Sequence, residues 1–413
     1  MSTTPTPSTA RIAYLTGEYP RATDTFVQRE VDALRRRGIE VLTFSVRATD
    51  ASHHVGEEQR REAAATFALL PAAKNPLKLL AAHARCLAAS PGSWFAGFAA
   101  AWGLRWPGLA GAAYALFYFL EAGVLADQLR RRRVSHLHNH FANSSCSVAL
   151  TAGRIAGIPF SFTMHGPAIF FEPHRWAVGK KIAAARFVAC ISHYCRSQAM
   201  ILCGQAHWPK LHIVRCGIEP ERYAAVEHRD AGVRGDGTIR LLFVGRLAAV
   251  KGLPVLLEAF AKLPERFHLS LIGDGADRNA LEAAAAALPG SASGRVAFEG
   301  YKSQDEVAAA LAETDVFVLP SFAEGVPVVL MEALASGVPV VATPVAGVGE
   351  LVGDRVCGRL VPPGDVASLA EALRGLGEDA TVRTAYGSDG RQRVASAFHA
   401  DREAATLAKL LRH

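Results

Sequence analysis

The sequence contains no C-x-x-C pair and no complete G-x-G-x-x-G. Its seven cysteines are scattered and odd in number, which argues against a disulfide framework or a zinc cluster and fits reduced thiols. Gly273-Asp274-Gly275 begins a glycine-rich turn, but the rest of the dinucleotide fingerprint is missing, so a nicotinamide site is not supported. Met1–Ala10 is rich in Ser, Thr and Pro and lacks the apolar core of a signal peptide, so it reads as a flexible tail. The two arginine runs, Arg35–Arg37 and Arg130–Arg133, have no interleaved stacking aromatics. They read as solvated faces rather than a nucleic-acid site.

What is present is enough for two domains: 413 residues, half of them hydrophobic and a fifth charged. The net charge of +7 suits anionic ligands or an anionic membrane surface. Ser93–Ala126 is apolar and aromatic, and Cys86–Leu104 is uncharged over a length that would nominally span a bilayer. Ser90-Pro91-Gly92 should end any helix there. The plainer expectation is a buried helical hairpin; the sharper one is a helix pair resting on a membrane interface.

Short apolar runs alternate with helical stretches along the chain. In the first half, strands are expected at Arg11–Thr16, Ile39–Val46, Ser135–His140, Phe160–Met164, Phe187–Ser192 and His212–Cys216, with a helix at Thr25–Arg37 closed by Gly38. In the second half, strands Ile239–Val244, His268–Ile272, Arg295–Phe298, Asp315–Leu319 and Pro339–Ala342 alternate with helices, including one at Val328–Ala335. This pattern specifies a parallel sheet covered on both faces, and such sheets bind ligands at the carboxyl ends of their strands. A linker is expected near Gly217–Thr238, where Gly and Pro cluster among charges.

Three loops stand out at strand ends. After Asp315–Leu319, Glu324 and Glu332 flank a helix opened by Gly325-Val326-Pro327. A helix start there offers free N–H groups and partial positive charge, suited to a diphosphate. Glu332 lies about two turns on, where a carboxylate could accept ribose hydroxyls. The bland alternative is two surface glutamates, although a Glu inside V-V-L-M-E-A-L-A is seldom left without a partner. After Ile239–Val244, Arg246 and Lys251 in G-R-L-A-A-V-K-G could neutralise a leaving diphosphate. After Phe160–Met164, His165 in M-H-G could meet a sugar, although a lone His is more often structural.

His136, His138 and His140 share one strand face, which invites a metal reading. No acidic residue is adjacent in sequence, and the reading is set aside. No D-x-D exists to hold a divalent ion on a nucleotide diphosphate. The expectation is therefore that no metal and no cofactor is needed, with Arg246, Lys251 and the helix N–H groups in place of an ion.

Glu324-x7-Glu332, G-R-L-x-x-x-K-G and M-H-G appear together with T-x-x-Y-P-x-x-x-x-T-F-V-x-R-E (Thr16–Glu30), H-x-H-x-H-F (His136–Phe141) and I-S-x-Y (Ile191–Tyr194). In this order they resemble glycosyltransferase family 4, most nearly its bacterial exopolysaccharide and lipopolysaccharide enzymes of the colanic-acid type. The resemblance covers almost the whole chain. It implies an α/β GT-B fold, with two Rossmann-like, doubly wound parallel-sheet domains facing across a cleft. The boundaries expected are 1–225 for the acceptor-side domain, 226–395 for the nucleotide-sugar domain and 396–413 for a helix crossing back.

The resemblance further implies metal-independent, retaining transfer of a sugar from a nucleoside-diphosphate sugar to a glycan or lipid-linked acceptor. Arg246 and Lys251 would hold the diphosphate. Glu324, Gly325, Val326 and Pro327 would position the donor, Glu332 would bind the ribose, and His165 would face the sugar. Gly17, in the loop after the first strand, would lie near the donor phosphates or the acceptor, although the commoner double-glycine loop is replaced here by Gly17-Glu18-Tyr19-Pro20. Gly300-Tyr301 is the candidate contact for the base. Expected partners are the donor, the acceptor and the inner face of a membrane, with a cytoplasmic location and no nucleic acid. A sugar-nucleotide epimerase of the same fold and a non-catalytic nucleotide-sugar-binding subunit are the competing readings.

Overall fold

The computed structural model describes residues 11–21, 24–50, 54, 56–224 and 237–412. Two compact units divide the chain, residues 1–215 with 401–413, and residues 216–400. The tail Met1–Ala10 and most of the expected linker lie outside the described residues.

The first unit is built on seven parallel strands: β1 (Arg11–Glu18), β2 (Glu40–Arg47), β3 (Phe67–Ala68), β4 (His136–His140), β5 (Phe160–Met164), β6 (Val188–Cys190) and β7 (Leu211–Ile213). Their order is β3-β2-β1-β4-β5-β6-β7. β4 and β5 are buried at every residue, as a strand covered on both faces must be. Helix Thr25–Arg36 packs Val27, Val31 and Leu34 into a cluster with Ile12 and Val41. The last helix, Ala400–Arg412, brings Ala404, Leu407, Ala408 and Leu411 into that same cluster.

Both arginine runs take structural roles as well as surface ones. Arg35 pairs with the buried Glu62 at 2.6 Å, and Arg36 and Arg37 meet Asp401 at 3.1 and 3.0 Å. Arg130 donates to the Ile155 carbonyl at 2.8 Å.

Helix Pro76–Ala89 ends at Ser90, and Pro91 opens the next helix, Pro91–Gly103, followed by Leu109–Arg131. The buried-hairpin expectation holds only for the inner faces. Gly97 lies so close to Ile155 that a Cβ would clash, and Phe119, Ala122 and Leu125 are buried. The outer faces carry Leu77, Leu80, Phe95, Leu109, Tyr114 and Phe117, with Leu109 91% exposed and Leu77 77% exposed. Leu109–Arg131 is long and apolar enough to cross a bilayer, but 44% of its most apolar window is buried inside the unit.

The second unit has six parallel strands: β8 (Ile239–Val244), β9 (Phe267–Ile272), β10 (Val296–Gly300), β11 (Val316–Leu319), β12 (Val340–Ala342) and β13 (Gly358–Leu360). Their order is β10-β9-β8-β11-β12-β13. The division between units falls at 215/216 and 400/401 rather than at the expected 225/226 and 395/396. The reason is local. Ile218 donates to the Phe398 carbonyl at 2.9 Å, Ala400 donates back to Ile218 at 2.8 Å, and Gly217 sits against the Ala400 backbone. Both chain ends of the second unit are therefore tied to each other.

Candidate active site

A parallel sheet places the carboxyl ends of β8 to β13 on one edge, and the loops leaving that edge are knitted together. Leu247 donates to Asp274 at 2.9 Å, Gly273 to Gly300 at 2.8 Å, Phe322 to Val250 at 2.8 Å and Gly347 to Gly325 at 3.0 Å, all backbone to carbonyl. Two glycines are required there. Gly252 has φ +67° and lies against the Pro320 carbonyl, and Gly273 has φ +134° against the Gly245 carbonyl. A Cβ at either would collide with backbone.

On this edge the expected second-unit residues gather. Lys251 Nζ donates to Glu324 Oε1 at 2.5 Å, and Ser321 Oγ donates to the same oxygen at 2.6 Å. Glu324 is buried, and Gly325, Val326 and Pro327 follow it directly into helix Val328–Ala335. Pro327 caps that helix, one position before the first-turn place expected for it. Glu332, also buried, accepts a 2.7 Å hydrogen bond from Tyr223 Oη. The reading of both acids as surface glutamates is therefore overturned. Arg246 stands exposed in the loop after β8. Gly300 ends β10 with φ +70°, and the exposed Tyr301 follows it. Helix-start N–H groups, a lysine and an arginine are thus concentrated on one edge, an arrangement that can hold an anion.

In the first unit, His165 follows β5 directly and is buried between Phe26 and Phe141, with ring centroids 5.0 and 4.6 Å away. Its Nε2 lies 3.1 Å from His140 Nδ1. Burial, and then the neighbouring His140, push its pKa well below the ordinary histidine value. Gly17 belongs to β1 rather than to the loop after it, because β1 runs two residues beyond the expected end to pair Glu18 with Arg47. A Cβ at Gly17 would meet nothing within 4 Å.

His136 and His138 share Ser161 Oγ at 2.6 and 2.8 Å, and His138 also meets Thr163 Oγ1 at 2.9 Å. Burial drives the His136 pKa down to about 3, with Arg186 contributing. The acid absent from the neighbouring sequence is supplied by the fold: Glu30 lies 3.0 Å from His140 Nε2. Glu30, His138 and His140 are close enough to share an ion, their ligand atoms all within 4.8 Å of one another. Protein groups nevertheless engage both ring nitrogens of His138 and of His140.

Tyr223, Ser321, Tyr14 and Glu30 had no assigned role in sequence. Ser321 lies inside the P-S-F-A-E-G run, three residues before Glu324, and could have been found there. Glu30 ends a motif already singled out. Tyr223 gives no local signal, because its partner lies 109 residues away.

Residues 238–379 match the family described as glycosyl transferases group 1. AmsK of Erwinia amylovora, an amylovoran biosynthesis glycosyltransferase, is 37% identical over 178 residues, which cover 41% of this chain and 42% of AmsK. Among solved structures, sucrose-phosphate synthase of Thermosynechococcus elongatus superposes with a TM-score of 0.74 at 20% identity, over 98% of each chain. The Anabaena protein HepE in complex with UDP-glucose also gives 0.74, at 18% identity, over 97% of this chain and 99% of HepE. The fold is therefore GT-B, and residues 238–379 are similar to the glycosyl transferases group 1 family.

Proposed function

We propose that the chain transfers a sugar, with retention at the anomeric carbon, from a nucleoside-diphosphate sugar to a glycan or lipid-linked acceptor in cell-surface polysaccharide synthesis. The observation that carries this reading is the cluster of Lys251, Glu324 and Ser321 at the start of helix Val328–Ala335, with Arg246 in the adjoining loop. The leaving diphosphate is stabilised by Arg246, Lys251 and the amides of Gly325 and Val326, with no metal ion required. Glu324 and Pro327 orient the donor sugar, Glu332 takes the ribose, and Gly300-Tyr301 borders the base. The amylovoran role in AmsK's name and the UDP-glucose held by HepE support the polysaccharide and nucleotide-sugar parts of the reading.

The test is incubation with UDP-, GDP- and ADP-sugars and a lipid-linked acceptor in chelator, with the product's anomeric configuration read by NMR. Transfer with retention is expected. An inverted product, or strict dependence on added divalent ion, contradicts the proposal. Isomerised donor without acceptor would favour an epimerase.

The exposed apolar and aromatic faces of helices Pro76–Ala89, Pro91–Gly103 and Leu109–Arg131 support a peripheral membrane contact at a cytoplasmic surface. Arg105 over Trp102 and Arg175 over Trp106 set cations beside them. Flotation with anionic vesicles at low salt should carry the protein upward, and no binding there removes this part.

A further inference from the structure

Three neighbouring strands of the second unit, β8, β11 and β12, each contribute one donor to a chain that ends on a single carboxyl group. Lys251 comes from the loop after β8, Ser321 from the loop after β11, and Thr343 directly follows β12. Lys251 Nζ and Ser321 Oγ both donate to Glu324 Oε1. Thr343 Oγ1 donates to the Ser321 carbonyl and so fixes the backbone from which the Ser321 hydroxyl projects. Phe322 N–H donates to the Val250 carbonyl at 2.8 Å and pins the same backbone to the loop after β8. Ser321 is 0% exposed and Thr343 1%, so each hydroxyl depends on a protein partner.

The carboxyl group is held unevenly. Oε1 takes two donors, and among the described residues no donor meets Oε2. The Glu324 side chain keeps 10% of its surface exposed, and Oε2 is not one of the buried atoms left without a partner. Oε2 is therefore the oxygen that opens outward. Lys251 alone would not select it, because an ammonium on a flexible four-carbon stem can meet either oxygen as the carboxylate turns. The Ser321 hydroxyl is short, lies three residues from Glu324 and stands on pinned backbone, so it holds one oxygen and leaves the other outward.

We infer that Ser321 and Thr343 are positioning residues that hold the Glu324 carboxylate with Oε2 toward the ligand. A carboxylate in an ion pair only accepts, so the ligand group opposite Oε2 is a hydrogen-bond donor, which on a neutral sugar is a hydroxyl. The sugar as ligand rests on the proposed function; the fixed carboxylate does not.

The test uses the full chain in native form and as Ser321→Ala, Thr343→Val and Thr343→Ser. Crystal structures without ligand should show one carboxylate orientation at Glu324 in the native protein and in Thr343→Ser, and a turned or divided carboxylate in Ser321→Ala. Calorimetry then compares UDP, GDP and ADP with the glucose ester of each, taking the pair that binds the native protein. In Ser321→Ala the Kd of the glucose ester should rise about tenfold and that of the bare nucleotide less than about twofold, as for loss of one hydrogen bond to a charged group. Thr343→Val keeps the shape without the hydroxyl and should show the same split more weakly; Thr343→Ser should restore native binding. Equal weakening of nucleotide and glucose ester, the mark of a merely structural role, overturns the inference. So does a native-like Glu324 carboxylate in Ser321→Ala. Should Ser321→Ala not fold, the split between Thr343→Val and Thr343→Ser still decides. A turned carboxylate in Ser321→Ala, with no binding of any of these nucleotides or esters by the native protein, would uphold the positioning and count against the proposed function.

Discussion

Lys251 and Glu324 meet with 18% and 10% of their side chains exposed, so each screens the other before any ligand arrives. Arg246 is exposed and carries none of that structural duty. The two cations therefore separate experimentally. Arg246→Ala should cut turnover by roughly two to three orders of magnitude while leaving stability within about 0.5 kcal/mol, as surface substitutions do. Lys251→Ala should cost similar turnover and also lower Tm, because the buried Glu324 loses its counter-ion and keeps only Ser321. Equal, unaltered activity in both variants would remove the diphosphate assignment. Tyr223→Phe should raise the donor KM with little change in kcat, since it frees Glu332 from its orienting hydroxyl rather than touching the reacting bond.

Glu121 gives a residue-level pH prediction. Burial raises its carboxyl to about 7, with Arg47 opposing. A folded pKa above the unfolded one favours folding below about pH 4.5, and that contribution is lost as pH rises through 7. Glu121→Gln should therefore raise Tm at pH 8 and have little effect at pH 4, by thermal melts at both.

Helices and strands show where sequence periodicity carries information. The five strands expected in the second half all appear within one or two residues, because β8, β9, β11 and β12 are short apolar runs bounded by turns. β13 and β3, with three and two residues, are too short to show any period. Helix Ala380–Ala397 was not legible because Gly387 and Gly390 look like breaks; both instead allow close packing, Gly387 against the Gly337 carbonyl and Gly390 against Leu334. The loop residues of the site were legible because strand–loop–helix grammar and charge type are local properties. The partners Tyr223 and Glu30 were not, because only the tertiary fold brings them to Glu332 and His140. An element-scale prediction follows for the turn at Gly252: Gly252→Ala combines a positive φ with a backbone collision and should cost about 1–3 kcal/mol, read as a fall in Tm. A neutral Gly252→Ala would mean that the loop after β8 is not held as described.

At the scale of the whole molecule, the second unit is an insertion in the first. Arg215 N–H donates to Glu403 Oε2 at 2.8 Å, so the two edges of the first unit lie side by side, just as Ile218 and Ala400 do in the second. Residues 216–400 should therefore fold when expressed alone, and their Tm should rise with a matching nucleoside diphosphate by mass action. An unfolded 216–400 fragment would show that the units are not separable.

That nested layout also sets an order of assembly on the ribosome. The inserted segment is complete in the nascent chain once residue 400 has emerged, whereas the earlier-made sheet waits for Leu407 and Leu411 to join the core cluster that holds Ile12 and Val31. Helix Ala400–Arg412 therefore acts as a closing latch on strand Arg11–Glu18. A premature stop there would leave an apolar surface open to chaperones and proteases while the inserted segment remained intact.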